Sequence, residues 1–163
     1  EFAHKISPLL KKINLKIILE PGRFIVGNAG ILVTKVLYIK KTFKKKFVIV
    51  DAGMNDLIRP ALYGAYHQIL PLRYPKNATG SLEKVEIVGP ICESADFFAK
   101  DRRIPKVKEG DYLAIMGAGA YGFSMSSNYN SRLKPAEVMV LGNKVKLIRQ
   151  RESYQDLIRH EKT

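Results

Sequence analysis

The 163 residues, 46% of them hydrophobic and 26% charged, suit one folded domain and are too apolar to stay disordered. No apolar run approaches the ~18 residues of a membrane helix, the opening EFAHKISPLLKKINLK has no apolar core of signal-peptide length, and the lone cysteine, Cys92, cannot close an internal disulfide, so cytoplasmic residence is the default expectation. The formal charge of +13 suggests nucleic-acid binding, yet it is spread over Lys11-Lys12, KKTFKKK at 40–46, DRRIPKVK at 101–108 and the C-terminal end, without zinc-finger spacing, a basic zipper or an RNP-type aromatic motif.

In chain order, residues 4–13 suit a short amphipathic helix with Ile6, Leu9, Leu10 and Ile13 near one face. LKIILE (15–20) reads as a buried strand of a parallel sheet that stops at Pro21-Gly22. Helix and strand together make the αβ half-unit of an α/β fold, and nothing downstream repeats it. From Gly22 the pattern is β-branched and partly alternating. GRFIVGNAGILVTKVLYIKK and KKFVIVDAG form an antiparallel hairpin around the lysine run, which reads as a solvated turn that discourages edge pairing. DLIRPALYGAYH fits a short helix with Pro60 in its first turn. LEKVEIVGPICES is a strand ending at Gly89-Pro90, and YLAIMG a strand running into a glycine-rich stretch. AEVMVLGNKVKLIRQ is a hairpin around Gly142-Asn143. SYQDLIRH closes as a helix that Ser153 caps, with Asp156 in its first turn. One αβ fragment followed by six or more strands gives a mainly β (α+β) fold, a sandwich or barrel. The simplest account makes the chain a C-terminal piece of something larger; a self-contained α+β domain is the alternative.

Four segments put polar or reactive groups at the ends of apolar strands, where a rigid scaffold presents them to a ligand. In EPGR (20–23), Gly22 permits close backbone approach and Arg23 offers a planar fork for phosphate or carboxylate. A tight turn with a surface Glu20–Arg23 ion pair is the better reading of the tetrapeptide alone. Arg59 and Tyr63, four residues apart, share a helical face and could hold a carboxylate, or be an exposed Arg beside a half-buried Tyr. Cys92-Glu93 in GPICES could supply a proton and bind an ammonium group, although a single cysteine is more often inert and buried. GAGAYG (117–122) has the glycine density of a phosphate loop but neither a following G-K-[ST] nor a surrounding βαβ unit, so a glycine bulge against a neighbouring element is the plainer reading. No His or Cys spacing suggests a metal. His4, His67 and His160 are scattered and read as surface residues.

Taken in order, EPGRFIVGNAGILVTKV, VDAGMNDLIRPALYGAYH, VGPICESADFFAKDR, GDYLAIMGAGAYGFSMSSNYNSRLKPAEVMV and RESYQDLI resemble the C-terminal part of the diaminopimelate decarboxylase family, across nearly the whole chain. The resemblance implies a pyridoxal 5'-phosphate enzyme of the alanine-racemase-like fold. It has an N-terminal TIM barrel and a C-terminal β domain, forms a homodimer with shared active sites, and converts meso-diaminopimelate to L-lysine and carbon dioxide in lysine biosynthesis. On that basis residues 1–23 are expected to be the last helix and strand of the barrel, and 24–163 the β domain. The lysine that anchors the cofactor would lie on the barrel, so the chain as given is expected to be inactive alone. By similarity, Glu20, Pro21, Gly22, Arg23 and Tyr121 would bind the cofactor. Arg23, Arg59, Tyr63, Glu93 and Tyr121 would bind substrate, and Cys92 would be catalytic. A neighbouring decarboxylase of ornithine, arginine or carboxynorspermidine type, or a non-catalytic basic binding module, is the alternative. Glu93 after Cys92, where the ornithine type has Asp, favours the first reading.

Overall fold

The computed structural model describes residues 1–13, 15–73 and 82–162. The chain opens with helix α1 (Phe2–Leu10), in which Ile6 and Leu10 are half-buried while Leu9 and, beyond the helix, Ile13 face solvent. LKIILE is not a strand. Residues 15–20 are exposed and lie outside both sheets. A strand of a parallel sheet needs hydrogen-bonded neighbours, and among the described residues none lies beside this segment. The GRFIV expectation is also corrected. Gly22–Val26 is a helix, α2, followed by a 3-10 turn over Gly27–Ala29. Pro21, at φ −77°, presets the turn, and its carbonyl accepts the Phe24 N–H at 2.9 Å. Local turn geometry therefore outweighs the β-branched composition.

Eight strands follow among the described residues: β1 (Ile31–Lys41), β2 (Lys46–Val50), β3 (Ile69–Pro71), β4 (Leu82–Val88), β5 (Phe97–Pro105), β6 (Tyr112–Met116), β7 (Glu137–Leu141) and β8 (Lys144–Arg149). Six form one sheet in the order β3-β6-β1-β2-β4-β5. All neighbours in it are antiparallel except β2 and β4, which run parallel. β1 organises the sheet. Its first half, Ile31–Lys35, pairs with β6, and its second half, Val36–Lys41, pairs with β2 across a bulge near Val36–Tyr38. A bulge bends and twists a strand, so the sheet turns back on itself. Its two outer strands come together where Arg102 of β5 donates to the His67 carbonyl beside β3 at 2.7 Å. The nearly closed sheet encloses one core built from Val36, Val48, Val50, Val85, Ile87, Phe98, Ile104, Leu113 and Ile115, with Leu57 and Ile69 sealing it.

Two strands escape a reading of the pattern. β3 is only three residues long and ends at Pro71. β5 carries Lys100, Asp101, Arg102 and Arg103 in its middle, which mask the buried Phe98, Ala99 and Ile104. The expected 137–149 hairpin forms as a separate two-stranded sheet, β7 and β8. It is tied to the rest by the Arg149 guanidinium 3.7 Å from the Phe123 ring centroid. Helix α4 (Tyr154–Ile158) carries the expected Ser153–Asp156 capping box.

The lysine-rich turn is more than a solvated tip. Lys45 reaches Glu86 at 3.0 Å, and Lys46 pairs with Glu83. Glu86 is buried in β4, where it also accepts the Asp101 N–H. Removing Lys45 leaves that carboxylate buried with one weak donor. Lys45→Ala is therefore expected to lower unfolding stability by about 1–2 kcal/mol, a figure kept small because Lys45 itself is half exposed. The midpoint of urea denaturation reads it, and Glu86→Gln should recover part of the loss.

Candidate functional site

The candidate residues gather at one end of the sheet, in two groups. The first is built where α2, helix α3 (Arg59–Tyr63) and the glycine-rich turn after β6 converge. α3 forms because Pro60 stands in its first turn and Gly64, at φ +62°, ends it by giving its N–H to the Pro60 carbonyl. The helix places Arg59 and Tyr63 on one face, with the guanidinium 5.9 Å from the Tyr63 ring centroid. That guanidinium is also 5.7 Å from the ring of Tyr121, so Arg59 lies within cation–π range of both.

Tyr121 reaches this position because the turn that carries it is pressed onto the α2 segment. Gly119 donates to the Gly27 carbonyl at 3.0 Å, and Ala118 to the Gly30 carbonyl at 2.8 Å. A Cβ on Gly119 would stand 2.0 Å from the Val26 carbonyl oxygen, so only glycine fits. Tyr121 adopts a left-handed φ of +62°. Its hydroxyl lies 3.5 Å from where a Cβ on Gly22 would be. Gly22, Arg59, Tyr63 and Tyr121 are therefore linked as neighbours, Gly22 through the Tyr121 hydroxyl and both tyrosine rings through the Arg59 guanidinium. Arg23 stands beside them, close enough for its charge to act on His67 along with that of Arg59.

Charge in this group is one-sided. Neither Arg23 nor Arg59 pairs with a carboxylate among the described residues. The Arg59 Nε–H is buried and has no acceptor. A buried donor without a partner is costly, and two unneutralised guanidiniums around a phenol and a bare glycine backbone make a receptacle for anions. Glu20 and Pro21 sit at the exposed end of the 15–20 segment, and Glu20 takes no hydrogen bond among the described residues.

The second group is the loop between β4 and β5. Cys92 is free and exposed, not buried. Glu93 is exposed beside it, accepting the Ala95 N–H at 3.1 Å and the Tyr129 hydroxyl at 3.3 Å. The Glu93 carboxylate raises the Tyr129 phenol above its ordinary pKa. Asp96 shapes the loop. Its carboxylate accepts the Ile91 and Met54 N–H groups, each at 2.7 Å, and a Cβ on Gly89 would stand 2.3 Å from Asp96 Oδ2. Burial raises the Asp96 pKa against the lowering effect of those two hydrogen bonds. Arg132 locks the 117–132 segment to the same corner by donating to Asn55 Oδ1 at 3.2 Å and to the Asp51 carbonyl. No hydrogen bond or ring contact joins Cys92 or Glu93 to Arg59, Tyr63 or Tyr121 among the described residues.

Sequence reasoning missed Asp96, Tyr129, Arg132 and His67. Asp96 had a legible signal, an acid in a Gly-Pro loop that needs a side-chain acceptor for its free amides. The other three act across the fold and had none. His67 is corrected outright. It is 4% exposed, not on the surface, because the chain after α3 turns inward to start β3.

Comparison with known proteins shows the family of the chain. Residues 23–119 match the family described as pyridoxal-dependent decarboxylase, C-terminal sheet domain. The chain is 54% identical over 160 residues to diaminopimelate decarboxylase of Aquifex aeolicus, covering 97% of this chain and 37% of that protein. To the enzyme of the same name from Vibrio cholerae it is 56% identical over 144 residues, 88% of this chain and 34% of the other. A crystal structure of diaminopimelate decarboxylase from Helicobacter pylori complexed with L-lysine superposes with a TM-score of 0.83 at 48% identity, covering 98% of this chain and 39% of that one. A lysine/ornithine decarboxylase from Vibrio vulnificus, complexed with cadaverine, shares the fold at a TM-score of 0.64 and 23% identity over 80% of this chain. The chain thus spans little more than a third of the length of the curated relatives it matches.

Proposed function

The chain belongs to the pyridoxal-dependent decarboxylase family through its C-terminal sheet domain, and on that premise we propose that it forms part of an enzyme that decarboxylates meso-diaminopimelate to L-lysine. The observation that carries the reading is the anion-seeking group itself: among the described residues, Arg23 and Arg59 have no carboxylate partner and the buried Arg59 Nε–H no acceptor, and they gather with Gly22 and Tyr121. A cofactor phosphate and a substrate carboxylate are the two anions this chemistry requires, so the residues present fit pyridoxal phosphate.

When bound, that cofactor supplies an electron sink for the charge left as carbon dioxide departs. The chain's own residues do the rest. Pro21 and Gly22 bring backbone close to the phosphate, and Arg23 neutralises it. Glu20 holds a proton on the pyridine nitrogen by placing a negative charge beside it. Arg59 and Tyr63 would grip the carboxylate at the end of the substrate that does not react, and Tyr121 would bind cofactor and substrate. Cys92 Sγ gives a proton to the substrate carbon that lost its carboxylate, and Glu93 binds the distal ammonium. Cys92 and Glu93 stand apart from the arginine group in one copy of the chain, which suits a homodimer whose sites draw on both subunits. In this reading residues 1–23 complete an α/β barrel, and 24–163 are the β domain that closes its mouth.

Groups dedicated to the distal carboxylate and amine penalise any substrate that leaves them unpaired. The complete protein, loaded with pyridoxal phosphate, is therefore expected to release carbon dioxide from meso-diaminopimelate at least ~10⁴-fold more efficiently than from ornithine, by kcat/KM. Preference for ornithine would end the proposal.

A further inference from the structure

We propose that His67 is a positioning residue of the carboxylate clamp, its neutral imidazole joining the root of the Tyr121 turn to the guanidinium of Arg59. The inference rests on the function proposed above and adds to it a residue with no place in the chemical steps.

The imidazole is buried, on the stretch between α3 and β3. Its Nδ1 lies 2.8 Å from the Met116 carbonyl. A carbonyl can only accept, so the proton is on Nδ1 and that nitrogen donates. Met116 is the last residue of β6, and Gly117 (φ +71°) opens the glycine-rich turn. A Cβ on Gly117 would lie 3.8 Å from Nδ1, so the ring packs against the first residue of the turn. With Nδ1 protonated, Nε2 presents a lone pair, and it is buried without a donor among the described residues. The other buried side-chain atom left without a partner among the described residues is Arg59 Nε–H, a donor without an acceptor. One donor and one acceptor, both desolvated at the same end of the sheet, satisfy each other directly or through one water once a carboxylate draws the guanidinium into its binding pose.

The charged groups around the ring are consistent with a neutral imidazole. Arg59 from α3, Arg23 from α2 and Arg102 from β5 all act on it, and with burial they hold its pKa below the ordinary histidine value despite the Met116 hydrogen bond. A neutral ring keeps the Nε2 lone pair; a protonated one would add a fourth positive charge to those of Arg59, Arg23 and Arg102. The sign for stability follows. The folded pKa is depressed, so this contribution is present above the unfolded value of about 6.5 and lost as pH falls through the folded value.

Two variants separate the parts. His67→Asn keeps an N–H near the Nδ1 position and removes the Nε2 lone pair, while His67→Phe keeps the ring volume and removes both. Calorimetric titration of the complete protein with L-lysine, which carries the carboxylate, and with cadaverine, which lacks it, reads the effect without turnover. Both variants are expected to bind L-lysine about tenfold more weakly and cadaverine within about twofold of the unmodified protein. His67→Phe should also lose the acid-side fall in unfolding stability. Unchanged L-lysine affinity in His67→Asn would overturn the inference, as would equal weakening for both ligands, which is the mark of a general structural defect. If His67→Phe does not fold, the His67→Asn result decides. If the unmodified protein fails to favour L-lysine over cadaverine, the carboxylate clamp itself falls, and this inference with it.

Discussion

In the complete protein, the proposed carboxylate clamp predicts that Arg59→Ala cuts kcat/KM for meso-diaminopimelate by about 100-fold, chiefly through KM. A charge-assisted hydrogen-bonded pair in a desolvated site is worth about 3 kcal/mol, and each 1.4 kcal/mol is a factor of ten. The Arg59 guanidinium lies within reach of both Tyr63 and Tyr121 and its Nε–H is already buried, so the desolvation cost of the clamp is built into the fold. The loss should therefore appear in binding. Arg59→Lys should recover little, because a point charge matches neither the fork of a carboxylate nor the two rings. Steady-state kinetics on diaminopimelate, set beside those on ornithine, give the check. A matching fall for ornithine would point to a damaged fold, and an unchanged KM for diaminopimelate would remove Arg59 from the clamp.

Cys92→Ala is expected to act in the opposite manner, lowering kcat by about 10²–10³-fold with little change in KM, the usual worth of a positioned proton donor. The thiol is exposed and unpaired, so stability should stay within about 0.5 kcal/mol. Cys92→Ser tests the proton itself, since a hydroxyl of similar size is a far weaker acid. Mixing Arg59→Ala and Cys92→Ala subunits tests the sharing of sites. If each site takes Arg59 from one chain and Cys92 from the other, a mixed dimer contains one site with both residues intact and activity returns. A mixture no more active than its parts would place both residues in one subunit's site.

Much of the framework was legible in local pattern. The hairpin of β1 and β2 followed from two β-branched runs around a lysine turn, the β7–β8 hairpin from Gly142-Asn143, α3 from a helical stretch with Pro60 in its first turn, and α4 from the Ser153 cap with Asp156 in its first turn. Each is set by residues within a few positions of one another. Where the reading failed, a local and a longer-range signal disagreed. GRFIV has the composition of a strand, yet Pro21 makes it a helix. LKIILE has the apolar run of a buried strand, yet pairing is a property of neighbours and none lies beside it among the described residues. DRRIP reads as charge, yet β5 holds Phe98 and Ile104 in the core while its arginines face outward or inward to the His67 carbonyl.

The sequence by itself determined the family, the mainly β character and the identity of the reactive groups, because glycines, prolines, reactive side chains and short turns announce themselves locally. Only the tertiary structure decided which of those groups meet. Tyr121 reaches Arg59 because Gly119 lets two backbones touch, Asp96 ties the Cys92 loop to the Met54 N–H, and His67 is buried where β5 closes against β3. Such meetings join residues far apart in the chain, whose cost in chain entropy is met only by the packed core as a whole, and no short stretch of sequence records them.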